Sequence, residues 1–130
     1  MLILTIRSDK PDAEIGLYND GDQLGYEIWE AHRALAETIH TKIEALLGAH
    51  NQTLQGLGGI VVFRGPGSFT GLRIGLTVAN ALVDSLQLPI TASAGDDWIK
   101  SGIERLLAGQ NDRVAVPEYG ALPNITAPRK

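Results

Sequence analysis

The segment that most constrains the fold is the run Gly58-Gly59-Ile60-Val61-Val62-Phe63, which passes directly into Arg64-Gly65-Pro66-Gly67-Ser68-Phe69-Thr70-Gly71. An apolar stretch rich in β-branched residues, without polar alternation, predicts a strand over 58–63 buried on both faces. Beyond the glycines, Leu72, Leu76, Ala79, Val83 and Leu86 recur at the helical period and predict a helix from Phe69 to Leu86. A doubly buried strand that turns through glycines into a helix belongs in a sheet of parallel strands joined by right-handed crossovers.

The flanking segments extend this plan. Residues 2–6 are apolar strand formers. Residues 13–18 alternate, with Ala13, Ile15 and Leu17 on one side, and Asn19-Asp20-Gly21-Asp22 signals a turn into a third strand over 23–28. Residues 31–47 carry Leu35, Ile39, Ile43, Leu46 and Leu47 as one apolar helical stripe, with Gly48 as its terminator. Pro89 bars further helix and opens a strand over 89–92. Asp96 is the expected cap of a third helix running to Leu107, with Ile99, Ile103, Leu106 and Leu107 inward and Gly109 ending it. A short final strand is expected over 113–116. The order βββαβαβα gives an α/β domain with a mixed sheet over residues 1–116, followed by an extended tail over 117–130 that holds three prolines. Half-domains of the actin-like ATPases and sugar kinases have this order, as does ribonuclease H.

Composition narrows the functional classes. A chain of 130 residues with 44% hydrophobic and 20% charged residues has the balance of one globular domain. It has no cysteine, which excludes disulfides and thiolate metal sites and fits a reducing cytosol. No apolar run approaches the length of a membrane span, and the N-terminus lacks the apolar core of a signal peptide. The formal charge of −4, with Arg129-Lys130 as the only dense basic spot, argues against independent binding of nucleic-acid phosphates.

The glycine-rich turn carries the information. Gly65 and Gly67 permit backbone angles that other residues resist, Pro66 stiffens the turn, and Ser68 is placed to cap the following helix. A helix start of this kind offers N–H groups and a positive dipole end to an anion. The spacing matches neither the Walker motif nor the dinucleotide fingerprint, and a capped, strained turn explains the glycines equally well. Ser68 and Thr70 lack a nominated base, so no catalytic residue is assigned. His32, His40 and His50 are the only histidines. His32 and His40 lie two turns apart on the predicted helix and cannot share a metal, so no metal site is expected. Asp96-Asp97 need no role beyond the start of a helix, and Trp29 and Trp98 read as core or interface anchors.

The whole string Gly65-Pro66-Gly67-Ser68-Phe69-Thr70-Gly71-Leu72-Arg73-Ile74-Gly75 closely resembles the signature of the TsaB family, also called YeaZ. The resemblance covers about residues 1–95, with His32 at the family's histidine position and Pro117-Glu118-Tyr119-Gly120 a weak match to its C-terminal segment. It departs from the family in two ways. Ile6-Arg7-Ser8 replaces the usual Ile-Asp-Thr, and an arginine cannot orient a water or magnesium as a carboxylate does. The chain also reads as a shortened form without the second subdomain.

The resemblance implies a partner subunit of the machinery that makes N6-threonylcarbamoyladenosine in tRNA. It has no cofactor of its own. ATP and metal are expected on a TsaD-like subunit, with a TsaE-like ATPase joining the pair. tRNA would be met only through the complex, in the cytoplasm, and the chain would homodimerise when its partner is absent. The rival readings are an autonomous actin-like nucleotide-binding ATPase or kinase lobe, and a homodimeric binding module without a tRNA role.

The partner surface is expected on the second helix. Gly71, Gly75 and Ala79 form a small-residue face flanked by Leu72, Leu76 and Val83, with His32 packing or hydrogen-bonding at an interface; Arg73 is either a surface charge or, as the resemblance implies, an ion-pair partner across the subunit interface. The alternative is that the small face packs on the chain's own first helix.

Overall fold

The structure is a computed structural model and describes residues 1–31, 34–67 and 69–117. Its elements are β1 (Leu2–Arg7), β2 (Asp12–Asn19), β3 (Asp22–Glu30), α1 (Leu35–Ala49), β4 (Gly59–Phe63), α2 (Phe69–Leu86), β5 (Ile90–Ser93) and α3 (Trp98–Leu107), with a 3₁₀ turn at Leu54–Gly56. The five strands form one mixed sheet in the order β3-β2-β1-β4-β5. β1, β2 and β3 are antiparallel neighbours, whereas β1–β4 and β4–β5 are parallel. This is the α/β half-domain read from the sequence, and α2 has the bounds that the periodicity predicts.

Register and period decide which helix covers which face. Ile6 and Ser8 share one face of β1, and both lie against Gly75 of α2. Gly25, paired with Leu17 and so on that same face, lies against Leu46 and His50 at the end of α1. The opposite face carries Thr5, Val61, Phe63 and Thr91, and α3 covers it. There Thr91 Oγ1 donates to the Gly102 carbonyl at 2.9 Å, and Phe63 meets Trp98 edge to face at 5.7 Å. β4, between the two layers, is buried along its whole length, as a strand covered on both sides must be.

The α1 stripe of Leu35, Ile39, Ile43, Leu46 and Leu47 is buried as expected. The helix starts later than its apolar pattern. Ala31 is buried but non-helical, its N–H held by the Pro11 carbonyl, and α1 begins at Leu35. Gly48 does not end it. The helix continues to Ala49, and the left-handed residue is Asn51, at φ 58, because asparagine tolerates that region.

The expected Asp96 cap is also corrected. Asp97 precedes α3 and makes no side-chain capping bond. The inward face of α3 is Trp98, Gly102, Ile103 and Leu106, while Leu107 is 49% exposed. The helix starts one residue later than a capping Asp96 would set it, and Leu107 lies on its outward side.

The expected strand over 113–116 does not form. Residues 110–115 instead seal the open edge of β5 with side chains. Asn111 Oδ1 accepts the Ile90 N–H, the Asp112 N–H donates to the Ile90 carbonyl, Asp112 Oδ2 accepts the Ala92 N–H, and Arg105 donates to the Ala92 carbonyl. All four outward backbone groups of Ile90 and Ala92 are thereby satisfied without another strand. Asn80 of α2 then clamps Ala115 through both its N–H and its carbonyl. One side-chain amide, one carboxylate, one guanidinium and one backbone N–H thus do the work of a strand. The tail over 118–130 lies outside the described residues.

Candidate functional site

The glycine turn sits where β1 and β4 end, and β1 sets its geometry. Gly65 takes φ 114, the backbone region that favours glycine, and its bond to Pro66 is cis. Gly67 has no such angle. It is constrained by proximity, because a Cβ there would lie 2.5 Å from Asp9 Cβ and 2.8 Å from Asp9 Oδ2. The reading that both glycines supply unusual angles therefore holds for Gly65, while Gly67 supplies room.

Asp9 is the acid that occupies this room. Its side chain is 7% exposed, and Arg7 grips it as a fork, with Nε to Oδ1 at 2.7 Å and Nη2 to Oδ2 at 3.3 Å. The Arg7 guanidinium lies 3.9 Å over the Phe63 ring, and Phe63 leans on the buried Trp98. Cation–π contact and the paired carboxylate together offset the cost of keeping two charges mostly out of water. Close by on the same face, the Tyr26 hydroxyl donates to Glu14 at 2.7 Å. Burial first, then that hydrogen bond and the Glu14 charge, push the Tyr26 phenol well above its ordinary value.

Ser8 fixes the helix that follows the turn. Its hydroxyl donates to the Gly71 carbonyl at 2.7 Å and accepts the Gly75 N–H at 3.1 Å. These are the two groups that an α-helix would join to each other. Any Cβ at Gly75 would collide with the Ser8 hydroxyl, and one at Gly71 with the Ser8 carbonyl.

The small-residue stripe is therefore consumed inside the chain. Gly71 is half-buried, and Leu72, Gly75, Leu76, Ala79 and Val83 are buried. In the folded chain those residues face inward, and Gly71 and Gly75 pack on Ile6 and Ser8 at the end of β1. The outward side of α2 carries Thr70, Arg73, Thr77, Ala81 and Asp84. His32 and Ser68 lie outside the described residues, as does the side chain of Phe69.

Ser8 and Asp9 were not singled out from the sequence. The available signal was two polar residues placed directly after an apolar strand, which reads equally well as the start of a loop. Among the described residues, no three metal-ligating side chains converge.

The comparisons with known proteins follow the same region. The family described as TsaD, tRNA N6-adenosine threonylcarbamoyltransferase, matches residues 29–92. The TsaB threonylcarbamoyladenosine biosynthesis protein of Escherichia coli is 30% identical over 125 residues, covering 88% of this chain and 52% of that protein. Its Bacillus subtilis namesake is 48% identical over 50 residues, covering 38% of this chain and 22% of that protein. The structure of YeaZ from Pseudomonas aeruginosa superposes with a TM-score of 0.66 at 27% identity, over 72% of this chain and 43% of that one. The chain spans about half the length of the E. coli relative and a smaller share of the others. With the glycine signature and the strand–hairpin opening in place beside these matches, the chain belongs to the TsaB (YeaZ) family.

Proposed function

We propose that this chain is a partner subunit in the formation of N6-threonylcarbamoyladenosine in tRNA, supporting a catalytic TsaD-like subunit. The observation that carries this reading is the alignment with the E. coli TsaB along 88% of the chain, glycine turn included. In this reading ATP and metal belong to the TsaD-like partner, and a TsaE-like ATPase joins the pair. tRNA is met only within the assembly, which agrees with the chain's formal charge of −4. No helix among the described residues is long and apolar enough to cross a membrane, which agrees with work in the cytoplasm. Alone, the chain would pair with a second copy.

In this reading the contact lies outward of the small-residue stripe. With Gly75 and Ala79 packed internally, the side of α2 that remains for a partner is the one bearing Arg73, Thr77 and Ala81.

The test is co-expression of the tagged chain with the cognate TsaD-like subunit, alongside measurement of the modified nucleoside in cells depleted of the chain. Co-purification, its loss on Thr77→Arg with the fold intact, and a fall in the modified nucleoside are expected. Failure to co-purify together with an unchanged nucleoside level would refute the reading.

A further inference from the structure

We propose that the Asp9 carboxylate is a built-in anion filling an anion receptor formed by Arg7 and the glycine turn, and that it keeps external phosphate groups out. This concerns the chain's own turn and does not rest on the partner assignment.

Three observations carry it. The Arg7 guanidinium presents its fork to Asp9 through Nε and Nη2, the bidentate geometry by which arginine takes carboxylates and phosphates alike. The guanidinium is held in place from behind, stacked at 3.9 Å on Phe63, which is itself fixed by Trp98. It therefore needs little ordering to receive an anion. On the far side the carboxylate is pressed against Gly67, where a Cβ would come within 2.8 Å of Oδ2. The acid is thus wedged between a fixed cation and a bare stretch of backbone, and only 7% of its side chain meets solvent.

One negative charge balances one positive charge while Asp9 is in place. Without the carboxylate, an oriented guanidinium would face a space next to Gly67 large enough for the group just removed. A phosphate or phosphate monoester has the charge and the oxygen geometry to take that position.

The experiment titrates inorganic phosphate into the isotope-labelled chain at fixed ionic strength, following the backbone amide signals of Gly65 and Gly67. Wild type, Asp9→Ala and the double variant Arg7→Ala/Asp9→Ala are compared. Asp9→Ala is expected to show saturable shifts at least roughly tenfold tighter than wild type, and the double variant to lose them. If Asp9→Ala is folded and binds no better than wild type or than the double variant, the proposal fails. Should Asp9→Ala not fold, Asp9→Asn carries the same readout. Unfolding of both would also overturn the idea, since the carboxylate would then be a requirement of the fold.

Discussion

The Ser8 hydroxyl accepts the backbone N–H of Gly75 at 3.1 Å, across 67 positions of sequence. The residue that follows β1 and the second turn of α2 are thereby joined at a distance that only a glycine allows. The contact explains why Gly71 and Gly75 stand four apart, and it turns both toward the end of β1. It also makes a coupled prediction. Gly75→Ala should destabilise the chain by roughly 1–3 kcal/mol through overpacking against Ser8, despite alanine's better helix propensity. In a Ser8→Gly background the same change should be nearly neutral, since the hydroxyl and Cβ it would strike are gone. A double-mutant cycle by denaturant unfolding measures this, and additivity within about 0.3–0.5 kcal/mol would argue against the contact.

Gly67→Val should be the more damaging change in the turn. A branched side chain there meets the buried Asp9 from within 3 Å and should cost roughly 2–3 kcal/mol or more. Ser68→Ala removes at most a helix cap, about 0.5–2 kcal/mol. Melting temperatures of the two variants compare them directly, and equal mild losses would contradict the proximity of Asp9 to the turn.

Asp112→Ala should open the edge of β5. The substitution removes the acceptor of the Ala92 N–H and the ion-pair partner of Arg105. A loss of roughly 1–3 kcal/mol is expected from the unsatisfied backbone group, together with concentration-dependent association through the bared edge. Sedimentation of the variant at rising concentration checks the second effect, and a monomeric variant of unchanged stability would count against the edge seal.

Alkaline pH should weaken the fold through Tyr26. Burial and Glu14 raise its phenol above the ordinary value of 10.0, and burial raises that of Tyr18. The unfolded chain loses these protons first. Stability is therefore full below about pH 10 and falls as the pH rises toward the folded-state values. Tyrosinate absorbance should show both residues titrating late, and Tyr26→Phe should flatten part of the stability loss above pH 10. A normal titration of both would exclude the buried geometry.

The isolated chain is expected to turn over no ATP. Arg7 cannot orient magnesium or water as a carboxylate does, and it is committed to Asp9 and Phe63. Phosphate release by the pure protein is the assay. Steady turnover that Gly67→Val abolishes would overturn the expectation.

The sequence by itself determined the element order, the doubly buried β4, the α1 stripe from Leu35 to Leu47 and the extent of α2, because periodicity and punctuation are local signals. Local signals also misplaced the ends. Gly48 and Asp96 looked like a terminator and a cap, but packing carried α1 to Ala49 and started α3 at Trp98.

Only the tertiary structure decided what the small residues of α2 are for. An inward small face and an outward one have the same spacing, and the choice rests on Ser8, more than sixty residues away along the chain. The same holds for Asp9 against Gly67 and for Asn111 and Asp112 on the edge of β5. In each case a short polar side chain meets backbone from a distant segment. Such a meeting has no period to read, and it exists only once the sheet has brought the two segments together.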